Sequence, residues 1–369
     1  MQTTEQKFKT LAITVACCAV VATTGVGVGC YYAGKSDGTE CIVSTSYLST
    51  DSKTYSSTAD VVADVAESVV EIRTETIKTS GFAQYIVSGA GSGVIVAKND
   101  DGSYNIITNN HVIDGARNIT VALRSSVESG VEYTAKLVAT DPVGDIAVIS
   151  IETTKELNVA EWGNSDELSI GEDLIAIGNP LGSLGGTVTK GILSATERRI
   201  SVGNYPMTLL QTDTAINPGN SGGGLFNMNG NLIGIVNAKT SDEEVEGICF
   251  AIPANTARDI YKDLVEHGYV VGRSTLGVTV ASGNNFAYVA QVGDAVDGTF
   301  KAYDKIHTIN GQSVTTLLEY NTVLAEIEPG DKVTVEVFRC TQVTSGFFGV
   351  DVKYDTAITS FEVTAKQAK

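Results

Sequence analysis

Asn217-Pro218-Gly219-Asn220-Ser221-Gly222-Gly223-Gly224-Leu225 sets a single serine inside a run of glycine, proline and asparagine. The stretch lies between Asp213-Thr214-Ala215-Ile216 and the apolar segment Leu232-Ile233-Gly234-Ile235-Val236. Gly, Asn and Pro are what a tight turn needs where the backbone reaches positive φ or gathers its N–H groups. A serine held there is exposed with backbone donors beside it. An acyl-transfer nucleophile requires both, the donors serving the oxyanion that forms. A glycine-rich hairpin turn with an incidental serine is the alternative, and the rest of the chain decides.

A serine hydroxyl needs a base, and the chain has three histidines. His267 precedes the helix-stopping Gly268, where an imidazole favours a helix C-terminus. His307 alternates with isoleucines in Lys305-Ile306-His307-Thr308-Ile309 and is expected to face solvent. His111, in Thr108-Asn109-Asn110-His111-Val112-Ile113, stands at a strand end between polar residues and is the best base. The base in turn needs a carboxylate to fix its tautomer. Asp145 enters the apolar strand Ile146-Ala147-Val148 and would be half buried, which is costly for a carboxylate without a partner. Asp141, before Pro142, reads as a turn residue, Asp114 as solvated, and Asp213 as a backbone hydrogen-bonder. The chain order is therefore His111, Asp145, Ser221.

The 369 residues exceed one ordinary domain and fit two with appendages. A hydrophobic content of 43% with 18% charged residues describes a globular chain, and 38 glycines with recurrent Val, Ile and Thr favour β-structure. The net charge of −18 argues against nucleic acid or an anionic membrane surface as partner. Of six cysteines, none forms a C-x-x-C pair, so no zinc site and no disulfide framework is expected. Cys249, in Ile248-Cys249-Phe250-Ala251, reads as a small buried apolar residue.

Residues 1–10 are polar and carry Lys7 and Lys9, and residues 11–34 are uncharged and mostly apolar, ending near Tyr31-Tyr32. About 20 residues cross a bilayer as a helix, and the preceding lysines set the N-terminus in the cytoplasm. A single-pass cell-membrane anchor is expected, with the rest of the chain extracytoplasmic. A cleaved signal peptide is its main rival. Residues 35–57 read as a flexible linker. Short β-type runs then follow at close spacing, divided by turns such as Asn99-Asp100-Asp101-Gly102, and suggest antiparallel barrels or a sandwich. A helix is expected from Pro253-Ala254 through Glu266. Beyond Gly272 come a strand at 276–280, a turn at Asn310-Gly311, a helix from Leu317 to Ile327, a strand at 333–337 and a last strand from Ile358 to Thr364 after a loop.

The ordered motifs resemble the trypsin-like serine proteases, and within them the HtrA/Deg family. They are Gly91-Ser92-Gly93-Val94-Ile95, Thr108-Asn109-Asn110-His111-Val112, Asp141-Pro142-Val143-Gly144-Asp145, Gly178-Asn179-Pro180-Leu181-Gly182 and Gln211 through Gly223. The resemblance implies a mostly β chain: a trypsin-like double antiparallel β-barrel protease domain with two six-stranded barrels, followed by a PDZ domain (α+β), with an N-terminal transmembrane helix. The protease domain would span 58–268 and the PDZ-like domain 272–366. Ser221 would be the nucleophile, His111 the general acid/base and Asp145 its orienter. The N–H groups of Gly219, Asn220 and Ser221 would form the oxyanion hole, with no metal and no cofactor. Gly224 departs from the family's usual proline and Thr214 from its usual alanine.

Trypsin itself has an acid six residues before the serine, where this chain has Ala215. Ala215, Ile216, Val236, Asn237 and Ala238 would line a small apolar substrate pocket, which predicts cleavage after Val, Ala or Ile. In the second unit, Thr275-Leu276-Gly277-Val278 resembles the PDZ loop that binds a peptide C-terminal carboxylate. Tyr303 stands where that family usually has glycine. The implied partners are unfolded or damaged polypeptides, C-terminal peptides through the PDZ unit, the membrane, and two further copies in a homotrimer. The implied activity is ATP-independent endoproteolysis in protein quality control. A catalytically silent peptide-binding or holdase protein on the same scaffold is the rival.

Overall fold

The structure is a computed structural model that describes residues 55–80, 83–124, 131–178, 186–217, 219–238, 247–283, 286–293, 299–346 and 349–369. The expected membrane segment 11–34, the residues before it, the linker to residue 54, Asn179 to Gly182, Pro218 and the loop 239–246 lie outside the described residues. No helix among the described residues is long and apolar enough to cross a membrane.

Helix α1 (Thr58–Val65) starts at Ser57, whose hydroxyl accepts the Asp60 N–H, and buries Val61 and Val65. Strands β1 (Val69–Ser80) and β2 (Ala83–Lys98) pair antiparallel over their length, from Val69↔Val94 to Ser80↔Ala83. Strand β3 (Tyr104–Thr108) is buried at every residue, and the single-turn helix α2 (Asn110–Ile113) follows it. Strands β4 (Asn118–Leu123), β5 (Glu132–Thr134), β6 (Lys136–Asp141) and β7 (Ile146–Ile151) complete a sheet in the order β5-β4-β1-β2-β3-β7-β6. This corrects the expected six-stranded first barrel: among the described residues the sheet has seven strands, and no pairing joins its edge strands β5 and β6. The additional strand, β5, is short and solvent-facing and is held by backbone pairing to β4 from Thr120↔Thr134 to Ala122↔Glu132.

The second half closes. Strands β8 (Asp173–Gly178), β9 (Thr187–Val202), β10 (Tyr205–Thr212), β11 (Gly224–Asn227), β12 (Leu232–Val236) and β13 (Cys249–Pro253) form a six-stranded barrel in the order β10-β13-β12-β11-β8-β9. The unbroken apolar run of β12 is buried at all five positions, as suits a strand covered on both faces. Val94, Ile107 and Val148 of the first sheet share one core with Ile177, Phe226 and Ile235 of the barrel. The strand end that carries His111 and the turn that carries Ser221 thus flank a common core. Helix α3 (Ala254–His267) packs Ala257, Ile260 and Leu264 onto that core and stops at Gly268, whose φ of 80° lets its N–H reach the Leu264 carbonyl.

The C-terminal part has its own core, which includes Leu276, Val289, Ile306, Tyr320 and Val335. Its elements are β14 (Ser274–Thr275), β15 (Val278–Gly283), β16 (Phe286–Val292), β17 (Lys305–Ile309), β18 (Gln312–Ser313), α4 (Leu317–Leu324), β19 (Lys332–Gly346), β20 (Gly349–Thr364) and β21 (Lys366–Gln367). The main sheet runs β15-β16-β17-β19-β20, with β18 beside β17, while β14 pairs with β21. Two expectations change here. Helix α4 ends at Leu324, not Ile327, because Glu326 and Ile327 donate to Val323 and Leu324, three residues back, and tighten the chain into the Pro329-Gly330 turn. The expected loop before Ile358 is strand, since β19 and β20 pair from Lys332↔Thr364 out to Gly346↔Gly349. Tyr303 takes a φ of 67°, a conformation that glycine adopts freely, and its ring stacks on Tyr288 with centroids 6.1 Å apart.

Candidate active site

Asp145 sits in a turn with φ of 51°, rare for a residue with a side chain. Its carbonyl accepts the Asn110 N–H at 3.1 Å and the Asn109 amide at 3.0 Å, which tie the turn to the end of β3. The carboxylate, 4% exposed, accepts three further N–H bonds. These come from the His111 backbone at 3.0 Å, His111 Nδ1 at 2.7 Å and Asn237 Nδ2 at 2.9 Å. A carboxylate only accepts, so the imidazole proton resides on Nδ1 and Nε2 is left to accept. Ser221 Oγ lies 3.0 Å from that Nε2. Asp145, His111 and Ser221 thus form one continuous hydrogen-bonded chain, an arrangement in which a serine can be deprotonated as it attacks. Asp141 has a different role. Burial pushes its carboxyl up, opposed by Arg273, whose Nη2 lies 2.6 Å away, and by the N–H groups of Gly144 and Val143.

The turn around Ser221 is clamped from the first sheet. The Ser92 N–H donates to the Ser221 carbonyl and the Ser92 hydroxyl to the Gly219 carbonyl, both at 2.8 Å. The Thr108 hydroxyl donates to the Ser92 carbonyl at 2.7 Å. From the barrel side, Gly222 donates to Val236 and Val236 to Gly223. Gly219 has φ of 99° and Gly222 of 82°, so both need a residue without Cβ. The N–H groups of Gly219 and Ser221 find no acceptor among the described residues. The Asn220 N–H, expected beside them as a third oxyanion donor, donates instead to the Asn217 carbonyl at 3.0 Å and closes the turn. That N–H is thereby engaged within the turn.

The expected pocket residues divide. Ile216 and Val236 are buried in one apolar cluster, with Ala238 packed against it. Ala215 is exposed, its carbonyl accepting the Thr189 hydroxyl at 2.9 Å. Asn237 does not line the pocket, because its amide faces the opposite side of the strand and bonds Asp145. Asn237→Ala is expected to lower kcat about tenfold by removing one of the three donors that hold the carboxylate, with KM little changed. Steady-state kinetics on a peptide substrate would check this. Sequence reasoning assigned no role to Ser92, Thr108 or Asn237 in holding Ser221, His111 and Asp145; their partners are far away along the chain, and no local pattern signals them. In the C-terminal sheet Leu276 is buried, Gly277 has φ of 73°, and the Gly277 N–H already donates to Thr275 Oγ1 at 3.1 Å.

Models of known families match two parts of the chain: the trypsin-like peptidase domain at residues 91–235 and the PDZ domain at 273–346. Serine protease Do-like HtrB of Bacillus subtilis is 38% identical over 320 residues, covering 77% of this chain and 68% of the relative. The chain belongs to the HtrA-type serine proteases. Serine protease Do-like HtrA of the same organism is 39% identical over 279 residues, spanning 68% of this chain and 61% of the relative. Periplasmic serine endoprotease DegP of Salmonella typhimurium is 37% identical over 277 residues, 70% of this chain and 56% of the relative. Among solved structures, the HtrA-type protease AlgW with decapeptide aligns at a TM-score of 0.55 and 31% identity, over 85% of this chain and 99% of that one. The serine endoprotease from Yersinia pestis aligns at 0.52 and 30%, over 86% and 100%. This HtrA-type chain is therefore a mostly β trypsin-like peptidase fold joined to a PDZ fold.

Proposed function

We propose that this HtrA-type chain is an ATP-independent serine endopeptidase that cleaves unfolded or damaged polypeptides outside the cytoplasm. The hydrogen-bonded line from Asp145 through His111 to Ser221 carries the reading. Ser221 Oγ attacks the scissile carbonyl while His111 Nε2 takes its proton, and the imidazolium faces the Asp145 carboxylate. The oxyanion forms against the Gly219 and Ser221 N–H groups. His111 then protonates the leaving amine, and water, deprotonated by the same nitrogen, hydrolyses the acyl-enzyme.

The uncharged cluster of Ile216, Val236 and Ala238 beside Ser221 supports cleavage after small aliphatic residues. Strand β15, at the edge of the sheet and paired with β16 alone among the described residues, supports capture of a peptide C-terminus as an added strand next to Thr275-Leu276-Gly277-Val278. The periplasmic naming of the DegP relative supports work beyond the cytoplasmic membrane. The uncharged stretch 11–34 after Lys7 and Lys9 supports a single-pass anchor. A protease domain over 58–268, a PDZ-like domain over 272–366 and a homotrimer complete the proposal on the family resemblance.

The test offers one disulfide protein in its native form and in its reduced, carboxymethylated form. The chain should digest the unfolded form at least tenfold faster and leave new C-termini that are mostly Val, Ala or Ile. A folded chain that digests neither form supports the catalytically silent peptide-binding reading instead. Termini dominated by Arg or Lys would overturn the pocket assignment.

A further inference from the structure

We propose that Cys249 is the floor of the pocket that receives the residue preceding the scissile bond, and that it limits this pocket to small aliphatic side chains. The inference rests on the serine-protease reading above and adds a specificity-determining residue to it.

Strand register places the thiol. Strands β12 and β13 pair as Gly234↔Pro253, Ile235↔Ile252 and Val236↔Ala251. The ladder continues with the Asn237 N–H donating to the Phe250 carbonyl at 3.0 Å, so Ala238 stands opposite Cys249. Side chains alternate across a strand, which puts Val236, Ala238, Cys249 and Ala251 on one face and Asn237 on the other. The contacts agree on both faces. Asn237 reaches Asp145, while Val236, Cys249, Ala251 and Ile216 are buried together with Ala238 packed against them.

That apolar face begins at the nucleophile. The Ala238 N–H donates to Ser221 Oγ at 3.3 Å, and Ile216 lies in the segment leading into the same turn. The Ile216 backbone lies against the Cys249 thiol, but burial outweighs it and pushes the thiol up, so the sulfur is neutral. Nearby Asp213 turns its carboxylate to the Ile192 N–H at 2.6 Å. An uncharged sulfur therefore lies in the same apolar cluster as Ile216 and Ala238, where glycine would leave room for a longer substrate side chain. In an apolar pocket one methylene of mismatch changes kcat/KM about 10- to 200-fold.

The test uses the full chain and peptides that differ only in the residue preceding the cleaved bond: Ala, Val, Leu or Phe. Titration with a fluorophosphonate counts competent Ser221 in every preparation. Cys249→Gly should raise the Leu/Val ratio of kcat/KM at least about tenfold. Cys249→Val, which adds bulk and suits a strand, should lower the Val/Ala ratio by about the same factor. Such ratios within one preparation are independent of the fraction folded. Unchanged ratios in variants that titrate fully would overturn the proposal while leaving the protease reading intact. A wild-type chain that neither titrates nor cleaves would sink the protease reading and this inference with it.

Discussion

Asp145→Asn is expected to lower kcat by about four orders of magnitude with little loss of stability, the scale found when a triad carboxylate becomes an amide. The carboxylate accepts from the His111 backbone on Oδ1, and from His111 Nδ1 and Asn237 Nδ2 on Oδ2. An amide offers one oxygen and one NH2 group to these three donors. If its NH2 replaces Oδ2, it opposes two donors at once, and relief comes when the imidazole moves its proton to Nε2. That tautomer cannot accept the Ser221 proton. If the NH2 replaces Oδ1, it opposes the His111 N–H and pushes the ring off Ser221. Both arrangements fail at the same step. Steady-state kcat, with a urea midpoint within about 0.5 M of wild type to show the fold intact, is the measurement. A loss below tenfold would remove Asp145 from the role of orienter.

Gly222→Ala is expected to lower kcat/KM at least a hundredfold and to destabilise the chain by about 2–4 kcal/mol. The residue lies at φ of 82°, where a side chain is strained by about 1–2 kcal/mol. An added Cβ would also stand 2.2 Å from the Ser92 carbonyl oxygen and 2.3 Å from Thr108 Oγ1. The Ser92 carbonyl cannot yield cheaply, because the neighbouring Ser92 N–H and hydroxyl hold Ser221 and Gly219. The turn must move instead, and it carries Ser221. A displacement of about 1 Å at a reacting atom is enough for a hundredfold loss. Kinetics together with urea denaturation measure both effects. A variant with wild-type kcat/KM would show that the turn tolerates displacement, contrary to the clamped geometry.

Much of the site was legible because its residues sit where local chemistry is unusual. A glycine-rich turn around a serine, a histidine at a strand end and an aspartate entering an apolar strand each conflict with a bland reading. What escaped depends on partners that local sequence does not name. Composition marks 217–220 as a turn but not which N–H closes it, so the Asn220 donor was counted toward the oxyanion. Asn237 follows an apolar run and reads as pocket wall, yet strand alternation turns its amide to Asp145, 92 residues away. Cys249 reads correctly as small and buried, but only the β12–β13 register brings it opposite Ala238. The fold divides similarly. The apolar strands were readable, whereas the solvent-facing β5 and the outer half of the β19–β20 hairpin exist by cross-strand pairing more than by periodicity.

The account's central claim is that Ser221 is a nucleophile activated by His111, and covalent labelling tests it most directly. A fluorophosphonate that forms an Oγ–P bond with loss of fluoride is incubated with the wild-type chain, His111→Ala and Ser221→Ala, and the adduct is located by peptide mass mapping. The account predicts one adduct, on Ser221, in the wild type. It predicts labelling slowed at least a thousandfold in His111→Ala and none in Ser221→Ala. Labelling of the wild type on another residue, or at an equal rate in Ser221→Ala, would contradict it.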